Sequence, residues 1–260
     1  MLRRVLLSVV LATGTFVASV TASRAAELRI TFEELTSLVQ SIATETQLYL
    51  NSAPGLFAAS SQVKIGSQAY PLPPLEKKFV KGGSTYAYYV REMTSTSVNV
   101  APASRALRLT ATFKTDGPVA VASCVSGECP LIDFMPDIHW AAPIVSMEVV
   151  PVRFNGGISL KVEKVSISGA PRTVCRTTSN VLSCNLGLVF ARQSITALKT
   201  ELPAAIKTAL SDEGVQQKLA DGLKGYLTVG STGAVAINTV TVAPSSMTVN
   251  FRFNAASAAK

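Results

Sequence analysis

Between residues 28 and 50, apolar positions recur at the spacing of an α-helix. They are Phe32, Leu35, Leu38, Val39, Ile42 and Tyr49. Thr31 precedes this run and Glu34 lies three residues later, which is the arrangement of a capping box. Because Pro54 cannot continue a helix, the predicted helix ends between Asn51 and Gly55.

From about residue 60 to 192 the hydrophobic period changes to two, which is typical of β-strands. The alternating residues are Tyr86, Tyr88 and Val90; Leu107, Leu109, Ala111 and Phe113; Val145, Met147 and Val149; and Ile158, Leu160 and Val162. Val165 and Ile167 continue the last run one position out of step, which predicts a β-bulge near Glu163 and Lys164. Turns are indicated between the runs by Gly82-Gly83, Gly117-Pro118, Gly156-Gly157, Gly169 and Pro171. The pattern predicts a meandering antiparallel sheet with one buried face.

Residues 194–227 return to the helical period in two stripes. The first is Ile195, Leu198, Leu202, Ile206, Ala209 and Leu210, and the second is Val215, Leu219, Leu223, Tyr226 and Leu227. Pro203 is expected to kink the first stripe or to start a new turn, and a second break is expected near Gly214. Two final strands are predicted at 235–243 and 247–254. This order predicts an α+β fold in which a long, strongly twisted antiparallel sheet wraps around amphipathic helices.

The amino terminus has the features of a secretory signal. Arg3 and Arg4 precede an uncharged, apolar stretch from Val5 to Val20, and Ala22–Ala26 supplies small residues at the expected cleavage site. A membrane anchor is the alternative, but a span needs about 20 strongly apolar residues and polar ones dilute this stretch. We therefore predict a signal peptide at residues 1–26 and a single mature domain at 27–260, soluble and periplasmic or secreted.

Composition narrows the function. Charged residues make up 15% of the chain and hydrophobic residues 48%, so the core is expected to be large or part of the apolar surface to serve a ligand. The formal net charge of +8 is spread along the chain and not clustered with aromatic residues, so we expect no nucleic-acid partner. Weak attraction to anionic lipid head groups remains open.

The four cysteines permit three disulfide pairings. Nearest-neighbour pairing is favoured because Cys124 and Cys129, like Cys175 and Cys184, bracket turn-forming stretches. On this basis Cys175–Cys184 would link the two arms of a β-hairpin. A four-cysteine zinc site is the alternative, but neither spacing is the usual short one, and an exported protein favours disulfides.

Catalytic motifs are missing from the sequence. A hydrolase would have to use His139, the single histidine, yet no serine lies in a G-x-S-x-G turn. Asp133 and Asp137 are interpreted as part of a polar turn before a strand, and phosphate-binding glycine loops are absent. We expect no enzyme activity, no cofactor and no metal.

Three segments carry a resemblance to a family: "LRITFEEL" at the first helix, "ITALKTELPAAIKTAL" in the late helix, and the terminal hairpin "AINTVTVAPSSMTVNFRF". In element order the chain resembles the tubular lipid-binding (TULIP) superfamily, in particular its small bacterial periplasmic and lipoprotein-like members. The resemblance implies a super-twisted sheet around a long helix, with a tunnel for acyl chains. The chain departs from those members in lacking a lipid-anchored cysteine and in an insertion around residues 117–140.

We therefore predict a soluble periplasmic protein that binds an apolar ligand, expected to be a lipid, in an elongated hydrophobic cavity. It is expected to shuttle this ligand between membranes. The candidate lining residues are Leu35, Val39, Ile42, Leu198, Leu202, Ile206, Leu210, Val249 and Phe251. Partners are expected to be a lipid or other apolar small molecule, with transient contacts to membranes or envelope proteins. The alternative is a non-enzymatic envelope assembly or interaction protein with a filled core.

Overall fold

The computed structural model describes residues 25–44, 46–50, 62–65, 67–71, 76–91, 93–115, 117–176, 181–227 and 234–254. The predicted signal at residues 1–26 lies outside these ranges except for its last two residues. Within them the α-helices are α1 (Phe32–Ala43), α2 (Val181–Leu210) and α3 (Glu213–Leu227), with a 3-10 helix at Ile132–Phe134. The strands are β1 (Ala25–Thr31), β2 (Thr46–Leu50), β3 (Gln62–Ile65), β4 (Gln68–Pro71), β5 (Glu76–Lys81), β6 (Ser84–Val90), β7 (Met93–Ala103), β8 (Ala106–Phe113), β9 (Ala120–Ser126), β10 (Asp137–Phe154), β11 (Gly157–Val174), β12 (Ala234–Val242) and β13 (Ser246–Asn254).

The strands form an open, antiparallel, twisted sheet and a smaller second sheet, so the α+β fold class is confirmed. The large sheet runs β4-β3-β2-β7-β8-β10-β9-β6-β5, and β11 pairs with β10. The second sheet has the order β1-β13-β12. Strands β10 and β11 are 18 residues each and are joined by a tight turn in which Asn155 and Gly156 both have positive φ. The three helices pack on the buried face of the large sheet, and the second sheet closes the same core.

The first helix begins as predicted but is shorter. The Thr31 hydroxyl accepts a hydrogen bond from the Glu34 amide, which completes the capping box. The Glu34 carboxylate accepts hydrogen bonds from the Thr31 amide and hydroxyl, and these two bonds lower the pKa of Glu34. The helix ends at Ala43, so the prediction of helix up to residue 50 was wrong. Residues 46–50 form β2 instead, because Leu48 and Leu50 are buried at strand spacing while Tyr49 between them is half-buried.

The β10–β11 ribbon contains two irregularities, of which one was predicted. Glu148 pairs with Lys164 and Val149 with Val162, so Glu163 is the extra residue and the predicted bulge is confirmed. The second lies opposite Gly169, which has φ +106° and lies inside β11.

The expected turns at Gly169 and Pro171 were therefore wrong, since both residues are inside the strand. Gly169 is required there because a Cβ would lie 2.6 Å from Nε1 of Trp140. Gly169 therefore marks a point inside a strand where a large side chain packs closely against the backbone, which glycine permits because it has no side chain.

The second helix starts at Val181 and runs through Pro203 without interruption. Assigning residues up to 192 to strands was wrong. Of the two alternatives expected at Pro203, a new turn is excluded because the helix continues through it, and a kink stays a prediction. The buried face of the early turns carries small residues, namely Cys184, Gly187, Ala191 and Ser194. Such a face gives a weak hydrophobic period, which explains the error. The break near Gly214 is confirmed, because α2 ends at Leu210 and α3 begins at Glu213.

Both predicted disulfides are present, Cys124–Cys129 and Cys175–Cys184, and they use all four cysteines. The zinc alternative is thereby excluded. The predicted position of Cys175–Cys184 in a β-hairpin was wrong, since Cys175 follows the end of β11 and Cys184 lies in the first turn of α2. The bond therefore fastens the start of the long helix to the sheet. In the described ranges, no helix is long and apolar enough to span a membrane.

Candidate apolar-ligand site

The interior divides into an aliphatic core and an aromatic core. The aliphatic core lies among α1, α3, the second half of α2, strands β7, β8, β10 and β11, and the second sheet. The aromatic core lies under the first half of α2, where Tyr86 and Tyr88 are buried and Phe79 stacks on Phe190 with ring centroids 4.2 Å apart. The two names are kept below.

An apolar cavity of about 50 Å³ lies inside the aliphatic core, between the helices and the sheet. Its lining combines residues of α1, α2 and α3 with residues of five strands: Val39, Ile42, Ala43, Thr46, Leu48, Val98, Leu109, Met147, Val149, Leu160, Val162, Leu210 and Leu219. None of these side chains is ionisable. Shape and apolar contact therefore determine what the cavity can hold.

A polar groove of about 490 Å³ lies at one side of this cavity and is open to solvent. Its walls are the side chains and backbone of Gln40, Thr44, Thr46, Gln47, Ser95, Thr96, Ser97, Val98 and Asn99. Thr46 and Val98 line both the groove and the cavity. The polar groove and the apolar cavity are therefore adjacent.

The groove exists because β2 and β7 separate. They pair at Tyr49–Thr94 and Leu50–Met93, and next to these pairs the Leu48 amide donates to the Ser95 hydroxyl at 3.0 Å. A register shift in β7 between Ser95 and Ser97 follows at this point. The sheet thus opens where β7 would otherwise continue its ladder with β2.

Gln40 of α1 occupies the opened edge of β7. Its Nε2 donates to the Val98 carbonyl at 2.9 Å, and its Oε1 accepts from the Val100 amide at 2.7 Å. The side chain amide thus satisfies the same two kinds of backbone group that a neighbouring strand would. Gln40 holds α1 against the open edge and forms the floor of the groove.

The predicted lining residues divide into three sets. Val39, Ile42 and Leu210 line the cavity. Leu35, Leu202, Ile206 and Val249 are buried in the aliphatic core, and Leu198 and Phe251 are partly buried against it. The structure therefore brings all nine into one region, although six of them pack without bordering the space.

Most of the cavity wall comes from strand residues that were not among the predicted lining residues. Leu109, Met147, Val149, Leu160 and Val162 border the cavity, and all five belong to the alternating runs that predict strands. Alternation shows that such residues share a buried face, but it does not show which helix lies opposite them. Leu48 and Thr46 were missed because they were assigned to the first helix.

The polar residues considered for catalysis lie elsewhere. His139 is on β10 opposite Arg172, and Asp137 accepts a 2.8 Å hydrogen bond from Nε of Arg176. Asp133 is exposed in the 3-10 helix. In the part of the chain that the structure describes, no three His, Cys, Asp or Glu side chains are grouped as metal ligands would be.

Comparison with known proteins identifies no family for this chain. No protein-family model matches the chain, and no curated protein matches it. Among solved structures, the chain is similar to a crystal structure of lipopolysaccharide binding protein, with a TM-score of 0.31 and 11% sequence identity. The alignment covers 90% of this chain and 50% of that one, so the chain spans about half the length of that protein. The resemblance to the TULIP superfamily stays a prediction.

Proposed function

We propose that the protein is a non-catalytic binding protein for a lipid-like amphiphile, which places its acyl chain in the apolar cavity and its polar group in the groove. The observation that carries the proposal is that Thr46 and Val98 line both spaces. A single molecule with an apolar and a polar end fits that arrangement, because each end meets surroundings of its own kind.

The size of the cavity sets what binding requires. One water molecule needs about 10–15 Å³, so 50 Å³ admits only a short apolar group without rearrangement. A longer acyl chain must separate α1 from α3, which meet where Ile42 lies against Gly222. Each buried methylene contributes about 0.8 kcal/mol, so burial of several of them offsets a modest displacement of the helices.

The disulfides support placing this function outside the cytoplasm. Cys124–Cys129 and Cys175–Cys184 are the bonds expected of a protein in an oxidising compartment. Together with the predicted signal at residues 1–26, they favour a periplasmic or secreted carrier. The proposal extends to transfer of the bound lipid between membranes, which can be measured once lipid binding has been shown.

A second candidate is an envelope interaction protein whose core is simply filled. It is favoured by the aromatic core, in which Phe79, Tyr86 and Phe190 stack closely. The two candidate functions differ in whether the aliphatic core takes up an added acyl chain.

Binding of a fluorescent long-chain fatty acid to the delipidated protein tests the proposal. Val98→Phe narrows the passage between groove and cavity and is expected to weaken binding at least tenfold, because the chain can no longer pass. Val165→Phe is the matched control, since Val165 is half-buried against the same core but does not border the cavity. Circular dichroism and thermal unfolding check that both variants fold.

Native mass spectrometry of the protein purified from its host supplies the second readout. Copurified lipid that Val98→Phe loses and Val165→Phe keeps supports the carrier. Protein that takes up no fatty acid and carries no lipid contradicts the proposal and favours the interaction protein.

A further inference from the structure

At the edge of the aromatic core, two loops from different parts of the chain are joined into one unit, here called the tip. It consists of residues 78–84, at the end of the β5–β6 hairpin, and the disulfide-closed loop Cys124–Cys129. The Cys129 amide donates to the Ser84 hydroxyl at 3.0 Å. A Cβ on Gly127 would lie 2.7 Å from that hydroxyl oxygen and 2.9 Å from Cα of Ser84. The backbones of the two loops are therefore in direct contact.

The tip carries two of the large apolar side chains that are exposed in the described part of the chain, Val80 and Val125. Val80 is 70% exposed, the largest value among the large exposed hydrophobic residues that the structure describes. Its neighbour Phe79 points to the opposite face and stacks on Phe190. The position of Val80 is thus fixed by an anchored strand and not by a loose loop.

Val125 of the second loop is also exposed, at 42%. It is the extra residue of a bulge, because Thr85 pairs with Ser126 and Tyr86 pairs with Cys124. The bulge and the disulfide together hold Val125 outward at the same end of the sheet as Val80. Val80 and Ser126 both pair with Thr85, so the two valines lie on strands on either side of β6 at the same end of the sheet.

Two basic side chains flank Val80. Lys81 is exposed directly after it, and Lys78, two residues before it, is exposed as well and has an interaction within the protein. One exposed carboxylate, that of Glu128, belongs to the tip, so the described charges of the tip are two positive and one negative. Small apolar side chains beside lysines fit the interfacial region of a bilayer, where the methyl groups enter among the lipids and the ammonium groups meet anionic head groups.

We propose that the tip is a docking element for an anionic lipid bilayer. A protein partner fits less well, because a stable protein interface covers about 800 Å² on each partner and the tip offers two isolated valines without a groove. The inference does not depend on acyl-chain binding in the cavity, which lies in the other core. A protein that binds no fatty acid can still bind vesicles through the tip.

Cosedimentation of the full protein with vesicles tests the proposal. Vesicles with about equal parts of phosphatidylglycerol and phosphatidylcholine are compared with phosphatidylcholine alone. We expect binding to the anionic vesicles that falls at high salt, because screening weakens the contribution of the lysines. Val80→Asp and Val125→Asp are each expected to lower binding at least tenfold, and Lys81→Gln about fivefold.

Leu28→Asp is the matched control. Leu28 is 41% exposed, close to the value for Val125, but lies on β1 of the second sheet. It is expected to leave vesicle binding unchanged. Equal binding to both kinds of vesicle, or equal loss in Leu28→Asp and Val80→Asp, overturns the proposal.

A photo-crosslinking residue at position 80 separates a lipid partner from a protein partner. In isolated envelope membranes the adduct is expected to be lipid. An adduct formed mainly with one protein overturns the membrane proposal and identifies the tip as a protein-binding site.

Discussion

The aromatic core and the aliphatic core use the same sheet and the same long helix, yet they are stabilised differently. In the aromatic core the Tyr88 hydroxyl donates to the Pro136 carbonyl at 2.6 Å, and the Tyr86 hydroxyl accepts from the Leu131 amide. The Cys124–Cys129 disulfide borders this region, because Cys129 belongs to it. The aliphatic core consists mostly of aliphatic side chains and contains the cavity, and the buried hydrogen bonds of Gln216 with Ser159 and Leu160 lie beside it. Directional bonds fix one arrangement, whereas aliphatic contacts permit several of similar energy.

This difference assigns separate roles to the two regions. A binding site that must enlarge needs neighbours that can shift. The apolar side chains that line the cavity have no hydrogen bonds of their own to break, although Gln216 links α3 to the Leu160 and Leu210 carbonyls. A docking element needs a fixed shape, which the braced loops beside the aromatic core provide. The following changes test the contrast, in order of decreasing expected effect.

Removing Cys175–Cys184 by a double alanine substitution is expected to lower the free energy of unfolding by about 2–3 kcal/mol. The bond closes a short loop and fastens the start of α2 to the end of β11. Urea unfolding measures the change. If the aromatic core is the more rigid part, amide exchange accelerates there and not around the cavity; uniform acceleration would contradict the contrast.

Two glycine-to-alanine changes form a matched pair on helices. At Gly187 the new methyl would lie 2.6 Å from Cδ of Pro136 and 3.0 Å from the Phe134 carbonyl, so we expect a loss of about 1–3 kcal/mol. At Gly222 it would meet only the end of the Ile42 side chain, at 3.1 Å.

Because Ile42 borders the cavity and can turn toward it, Gly222→Ala is expected to be neutral or stabilising, with the helix propensity of alanine in its favour. Thermal unfolding of both variants measures the pair. Equal destabilisation by the two substitutions would show that the two cores accommodate an added methyl group equally poorly.

Tyr88→Phe is expected to cost about 1 kcal/mol, since the buried Pro136 carbonyl loses its donor. Burial raises the pKa of Tyr88 well above its ordinary value of 10.0, with the nearby Asp137 raising it further and Arg176 opposing the shift. The folded protein therefore keeps this proton after the unfolded chain has lost it, and stability falls as pH rises above about 10. In that pH range the free energy of unfolding of the wild type should fall more steeply with pH than that of Tyr88→Phe. Parallel pH profiles of the two proteins would argue against a buried neutral tyrosine.

Val162→Ile adds one methylene at the cavity wall and is expected to stabilise the protein by about 0.8 kcal/mol. Ala122→Val in the aromatic core is the contrasting change, expected to destabilise because Ala122 is 5% exposed among packed neighbours. Chemical unfolding measures both. Fatty-acid binding should weaken in Val162→Ile alone.

The sequence predicts the fold well where the hydrophobic period is strong. The capping box at Thr31, the bulge at Glu163 and the terminal hairpin follow from local chemistry. The start of α2 does not, because Gly187 and Ala191 bury a face that carries little apolar weight. Strand β2 was not predicted, because the spacing of Tyr49 from the preceding apolar residues also suits a helix.

The candidate site was only partly predictable, since its defining feature is non-local. Val39, Ile42 and Leu210 are apolar residues on helices and were selected for that reason. The separation of β2 from β7 depends on Gln40 reaching Val98 and Val100, and a glutamine in a helix carries no signal of such a role. Nothing in the local pattern around Ser95 indicates that the sheet opens there.

The pairing of β1 with β13 has a consequence for how the molecule is assembled. Ala25 lies opposite Arg252 and Thr31 opposite Ser246, so the first described strand is completed by the last. During synthesis β1 has no partner until β13 has emerged, and Ile30 has no Met247 opposite it until then. Closure of the second sheet is therefore a late step, and a chain interrupted before β13 would present an unpaired strand edge to its neighbours.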